Sequence, residues 1–168
     1  MSNARTLEAP SLLDRLLDDA PGMAVDAPRT RQQQLRDIRA ALARDLEALL
    51  NTRCAPATPP PALKELRASL LAYGTPDFIG VTMVSHDQRE AFARRLEATI
   101  RMFEPRLRDA SVTVLDSRNS TERMLRLRIT AIAVLHEDTA SVAFASALDP
   151  TTLLFRVQGE PGGRSFAP

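Results

Sequence analysis

The chain has 168 residues, 44 % of them hydrophobic, and a formal net charge of +1. That length suits one domain with a real core, and the charge balance excludes a composition-driven pull toward nucleic acid or a membrane surface. Cys54 is the single cysteine, which excludes an intrachain disulfide and a cysteine metal cluster.

No apolar run approaches the roughly 20 residues of a membrane span, and the N-terminus carries no apolar leader segment. A cytoplasmic protein without membrane insertion is therefore expected. All basic residues but Lys64 are arginines, which favours planar, hydrogen-bonded pairing over diffuse charge.

In chain order, Ser11 to Leu17 is a short amphipathic segment with Leu12, Leu13, Leu16 and Leu17 on one face. Pro21-Gly22 ends it, and the stretch to Arg29 reads as a linker. Residues 1–28 are thus expected to form an N-terminal arm, either loosely held or with its four leucines packed on a partner. Residues 31–50 are predicted to be a helix, with Leu35, Ile38, Leu42, Leu46 and Leu49 at helical spacing and Arg36, Asp37, Arg44 and Glu47 opposite. The four prolines of "APATPPPAL" impose a loop. Leu63, Leu66, Leu70 and Leu71 predict a second helix, and "YGTPDF" is a turn-rich connection.

Ser85 and Gln88 form a capping box that starts the central helix. Its buried stripe is Phe92, Leu96, Thr99, Ile100 and Phe103, and Arg89, Glu90, Arg94, Glu97 and Arg101 ride on the solvent side. Pro105 disfavours helical geometry at Glu104, so the helix ends there.

From Ser111 the period becomes 2. Strands are predicted at Ser111–Leu115, Arg123–Leu135, Ala140–Leu148 and Leu153–Val157. The long second strand is apolar at every odd position from Leu125 to Leu135. Its even face turns apolar only at Ile132 and Val134, which predicts cover over that end. Short polar connections fit antiparallel hairpins, and the Gly- and Pro-rich residues 159–168 read as a flexible tail. The fold class is α+β: N-terminal helices packed on a mainly antiparallel sheet of about four strands, in one domain spanning 29–158.

Few residues carry chemistry. His86 and His136 lack ligand spacing, so no metal is expected. Cys54 has no partner base, no G-x-S-x-G is present, and the Gly162-Gly163 pair lies in the tail. No cofactor and no small-molecule substrate are implied. A glycoside hydrolase would need two carboxylates, one of them protonated. Glu104 with Asp77, Asp87 or Asp109 could supply them, but Arg106, two residues on, favours a charged Glu104. Glu104 and Arg106 read better as a hydrogen-bonded pair displayed at the Pro105 turn. From chemistry alone such a pair is either a surface ion pair worth about 0–1 kcal/mol or a docking point whose removal would cost partner binding and little monomer stability.

Taken together, "SLLDRLL", "ARDLEALLNTR", "YGTPDF", "IRMFEPRL", "LRLRITA" and "PTTLLFRVQG" occur in an order that resembles the TssE family of type VI secretion baseplate subunits. That family falls within the phage tail baseplate wedge proteins, historically labelled lysozyme-like. The resemblance runs from about residue 11 to 159. Thr75 stands where many relatives have Leu, and Met102 where a basic or polar residue is common.

The resemblance implies a structural subunit, not an enzyme, that binds other baseplate wedge subunits and templates sheath assembly. Glu104, Pro105 and Arg106 correspond to a motif associated with docking on neighbouring wedge proteins. The sheet would resemble the interlocking domain of the contractile sheath. The edge formed by Leu153, Phe155 and Val157 is the first candidate to accept strands of sheath subunits, because it comes last and is short. The alternative is a lysozyme-like cell-wall glycoside hydrolase.

Overall fold

A computed structural model of the chain describes residues 16, 21–22, 30–55, 60, 62–76, 85–115, 124–135, 138–149 and 151–160. Helix α1 spans Arg31–Asn51 and starts on a capping box. The Gln33 N–H donates to the Thr30 hydroxyl, and the Gln33 side chain accepts from the Thr30 N–H. Its buried face is Leu42, Ala43, Leu46, Leu49 and Leu50. Each fully buried leucine contributes about 1.5–3 kcal/mol.

The predicted second helix is not continuous. One turn, α2 (Lys64–Arg67), is followed by a 3-10 turn at Leu70–Ala72. Ser69 makes the break: its hydroxyl donates to the Leu66 carbonyl and accepts from the Leu71 N–H. Leu63, Leu70 and Leu71 are exposed, Leu70 at 88 %.

Helix α3 spans His86–Phe103 and starts on the expected Ser85–Gln88 capping box. Phe92, Ala93, Leu96 and Ile100 are buried, whereas Phe103 is only partly so.

The sheet is a four-stranded antiparallel meander in the order β1 (Leu107–Leu115), β2 (Leu125–Leu135), β3 (Asp138–Leu148) and β4 (Phe155–Gly159). Strand β1 begins four residues earlier than predicted. An irregularity between Arg108 and Ser111, with Asp109 at φ 51°, hides the period-2 pattern there.

The inner face carries Leu107, Val112, Leu125, Leu127, Ile129, Ala131, Ala133, Val142, Phe144, Leu148, Phe155 and Val157, all buried under α1 and α3. The predicted cover over Ile132 is absent among the described residues, because both long helices lie on the inner face and Ile132 stays 38 % exposed. Strand β4 runs on through Gly159, and Glu160 pairs with Arg128. Of the tail expected from residue 159, only 161–168 remains, and it lies outside the described residues.

Both outer edges of the sheet are bonded by helix side chains. Along β4, the Phe155 N–H donates to Asn51 Oδ1 (2.7 Å), Asn51 Nδ2 donates to the Phe155 carbonyl (2.9 Å), and the Val157 N–H donates to Glu47 Oε2 (2.8 Å). Along β1, Arg101 Nε donates to the Ala110 carbonyl (2.9 Å) and the Val112 N–H donates to Glu97 Oε2 (3.1 Å). Glu47, Glu97 and Arg101, assigned by periodicity to solvent-facing positions, therefore serve as edge partners of the sheet.

Candidate partner-docking site

The site forms where α3 ends. Glu104 is the C-cap residue of α3, its N–H donating to the Ile100 carbonyl at 2.8 Å. Its own carbonyl accepts from the Leu107 N–H at 3.0 Å, which closes a turn with Pro105 exposed at its tip. Strand β1 follows at once, and the Arg106 carbonyl accepts from the Val134 N–H at 2.8 Å. Proline thus converts a helix end into a strand start within three residues.

The two charged side chains fold back under the turn. Arg106 grips Glu104 with both ends of its fork, Nε to Oε1 at 2.6 Å and Nη2 to Oε2 at 2.7 Å. The same Nη2 reaches Asp45 Oδ2 on α1 at 2.7 Å, and Arg44 holds the other Asp45 oxygen at 2.9 Å. Glu104 is buried, 7 % exposed, and the Arg106 side chain is 36 % exposed.

The expectation of a displayed pair is therefore corrected. Glu104 faces inward, and Arg106 bridges α1 to the α3–β1 turn. The cause is Asp45, one helical step from the leucine stripe, which supplies a second anion. Hydrogen bonds to Glu104, and then to Asp45, push the Arg106 guanidinium above its already high range against the opposing effect of burial.

Tyr73 completes the junction. Its ring meets Phe103 edge-on, with centroids 5.3 Å apart. Burial first, and the nearby charges of Glu104 and Asp45 after it, raise the phenol above its ordinary value of 10.0. A raised phenol in the folded state means that its stabilising contribution is complete below about pH 10 and is lost as the folded phenol ionises above that. Tyr73 is the only tyrosine and there is no tryptophan, so phenolate absorbance isolates it. The titration midpoint should lie above 10 in the native protein and fall to about 10 in denaturant. Glu104→Gln should lower the native value, and an unchanged midpoint in that variant would mean that the Glu104 charge does not reach the ring.

Behind Tyr73, Gly74 and Thr75 lock the C-terminus of α1. The Thr75 N–H donates to the Thr52 carbonyl at 2.8 Å, and the Cys54 N–H donates to the Thr75 carbonyl at 3.0 Å. Thr75, fully buried, directs its hydroxyl at the Leu50 carbonyl (3.1 Å) and accepts from Arg53 Nη1 (2.9 Å). Arg53 also donates to the carbonyls of Leu50 and Leu153. Helix-end carbonyls left without intrahelical partners are thereby satisfied. Threonine at this position supplies a hydroxyl that leucine lacks.

The other expected partner contacts are scattered. Leu16 is exposed, whereas Leu12, Leu13 and Leu17 lie outside the described residues. Phe155 and Val157, expected at an interface, point into the core, because inward and outward side chains alternate along β4 and these two face α1. Leu153 lies before the strand at φ 56°, in a turn where the Thr151 and Thr152 N–H groups bond Asp149 and hold its carboxyl below the usual range.

Of the acids considered as partners for Glu104, Asp77 lies outside the described residues, and Asp87 and Asp109 are exposed. Asp45, Arg53 and Tyr73 were missed by sequence reasoning. The only signal for Asp45 was an acid beside the buried stripe of α1.

The model of a protein family described as baseplate wedge protein gp25 matches residues 36–139. That span holds Asp45, Arg53, Tyr73, Thr75, Glu104 and Arg106 and leaves out most of β3 and all of β4. No curated protein matches the chain.

Proposed function

Because the chain belongs to the family of baseplate wedge protein gp25, we propose that it is the TssE-type subunit of a type VI secretion baseplate, and that the α1–α3–β1 junction is where it binds other wedge subunits. Membership makes it a structural component of a phage-tail-like baseplate. The observation that supports the junction is the Arg106 bridge. A buried carboxylate, a half-buried guanidinium and an exposed proline stand in one turn, fixed from three sides. A surface held so rigidly loses little entropy when a partner covers it.

The protein acts without catalysis in this proposal. Both Glu104 oxygens accept hydrogen bonds from Arg106, so the carboxylate is engaged within the chain rather than presented to a substrate. No helix among the described residues is long and apolar enough to cross a membrane, and a cytoplasmic location is part of the proposal.

Sheath subunits are the second partner. Among the described residues the β4 edge is the less open of the two, since α1 bonds both backbone groups of Phe155 and the Val157 N–H, whereas α3 bonds the Ala110 carbonyl and the Val112 N–H on β1. An arriving sheath strand therefore pairs on β1, displacing Glu97.

The test combines two assays. Wild-type protein should co-purify with the other wedge subunits, and Pro105→Gly, which loosens the turn without touching the ion pairs, should weaken that binding. The same wild-type protein should release no sugar from peptidoglycan. Hydrolysis that disappears in Glu104→Ala would sink the structural assignment, and undiminished binding by a folded Pro105→Gly variant would move the docking site elsewhere.

A further inference from the structure

The two sheet edges are closed in the same way. On α1, Glu47 and Asn51 are four residues apart and engage Val157 and Phe155. On α3, Glu97 and Arg101 are four residues apart and engage Val112 and Ala110. In each case the carboxylate accepts one strand N–H, and the residue one helical turn later donates to the carbonyl two residues before it. Positions i and i+4 share a helix face, so one helix presents acceptor and donor side by side.

A neighbouring parallel strand would present the same two groups. A single residue of it accepts from one N–H and donates to the carbonyl two residues earlier. Each helix therefore offers its strand a one-residue imitation of a pairing partner. Exposed edges pair readily with other chains, and covering them is a known remedy. The cover here differs from simple burial, since Arg101 is more than half exposed and is itself paired with Glu97 at 2.9 Å. Its position on the strand comes from hydrogen bonds rather than from packing.

We propose that Glu97 with Arg101, and Glu47 with Asn51, are edge locks that prevent this chain from pairing strand to strand with a second copy of itself. A second copy is the occupant that fits best. It carries the same two strand edges, which lack only a strand partner once the side-chain bonds are removed, and two identical edges satisfy each other in a closed two-fold arrangement.

The experiment uses the full chain and two double variants, E97A/R101A and E47A/N51A. Sedimentation over a range of concentrations measures self-association, and hydrogen exchange of the Val112 and Val157 amides locates it. Each double variant should self-associate at least about tenfold more strongly than the wild type. Exchange at its unlocked edge should slow as concentration rises. Glu97→Gln keeps an oxygen acceptor and should behave as the wild type. Folded double variants that associate no more than the wild type overturn the proposal. So does association that leaves both edge amides unprotected. Loss of folding in both double variants also overturns it, since the four side chains would then be supports of the sheet.

Discussion

Arg106→Ala should destabilise the isolated protein by about 2–4 kcal/mol, which for a chain of this size lowers the melting temperature by roughly 6–12 °C. The physical cause is the carboxylate left behind. Glu104 is buried at 7 % exposure, and Arg106 is its bidentate partner. Without the guanidinium, that charge has neither solvent nor a counterion. Breaking a fully buried pair costs about 3–5 kcal/mol, but the Arg106 side chain is 36 % exposed, so solvent screening trims the figure.

Glu104→Ala should cost less, because Arg106 keeps Asp45. A double-mutant cycle between positions 45 and 104 should show coupling, since both carboxylates bond the same Nη2 atom. Thermal and urea unfolding of the four proteins gives the numbers. A stability of Arg106→Ala within about 0.5 kcal/mol of wild type would show that the pair carries no load in the monomer and acts only at an interface.

Gly74→Ala is expected to cost at least about 3 kcal/mol, from backbone strain and overpacking together. Gly74 adopts φ +107°, a region side chains rarely enter, and a Cβ placed there would lie 2.5 Å from the Thr52 carbonyl oxygen. That oxygen is an acceptor for Thr75, and its displacement would unseat the lock on α1 and loosen Tyr73 against Phe103. Urea unfolding followed by Tyr73 fluorescence reads both effects. A variant as stable as wild type, with unchanged tyrosine emission, would show that the turn relaxes freely and that the lock is dispensable.

The pattern of apolar residues alone determined a great deal. Leucines three and four apart placed α1, Ser85 and Gln88 placed the start of α3, and strict alternation from Leu125 placed β2 and its buried face. These signals are local, and hydrophobic burial enforces them wherever the element lies. Pro105 likewise marked the end of α3, because a proline restricts the residue before it whatever surrounds them.

Tertiary structure decided what the polar residues do. Sequence spacing put Glu47, Glu97 and Arg101 on solvent-facing sides, yet each lies within hydrogen-bond reach of a strand edge more than eight residues away along the chain. Glu104 and Arg106 were visible as a pair, but which way they face depended on Asp45, 61 positions from Arg106. A buried apolar side chain gains from any apolar neighbour, so its pattern suffices. A hydrogen bond needs one particular partner at about 2.7–3.2 Å, and only the folded chain brings that partner near.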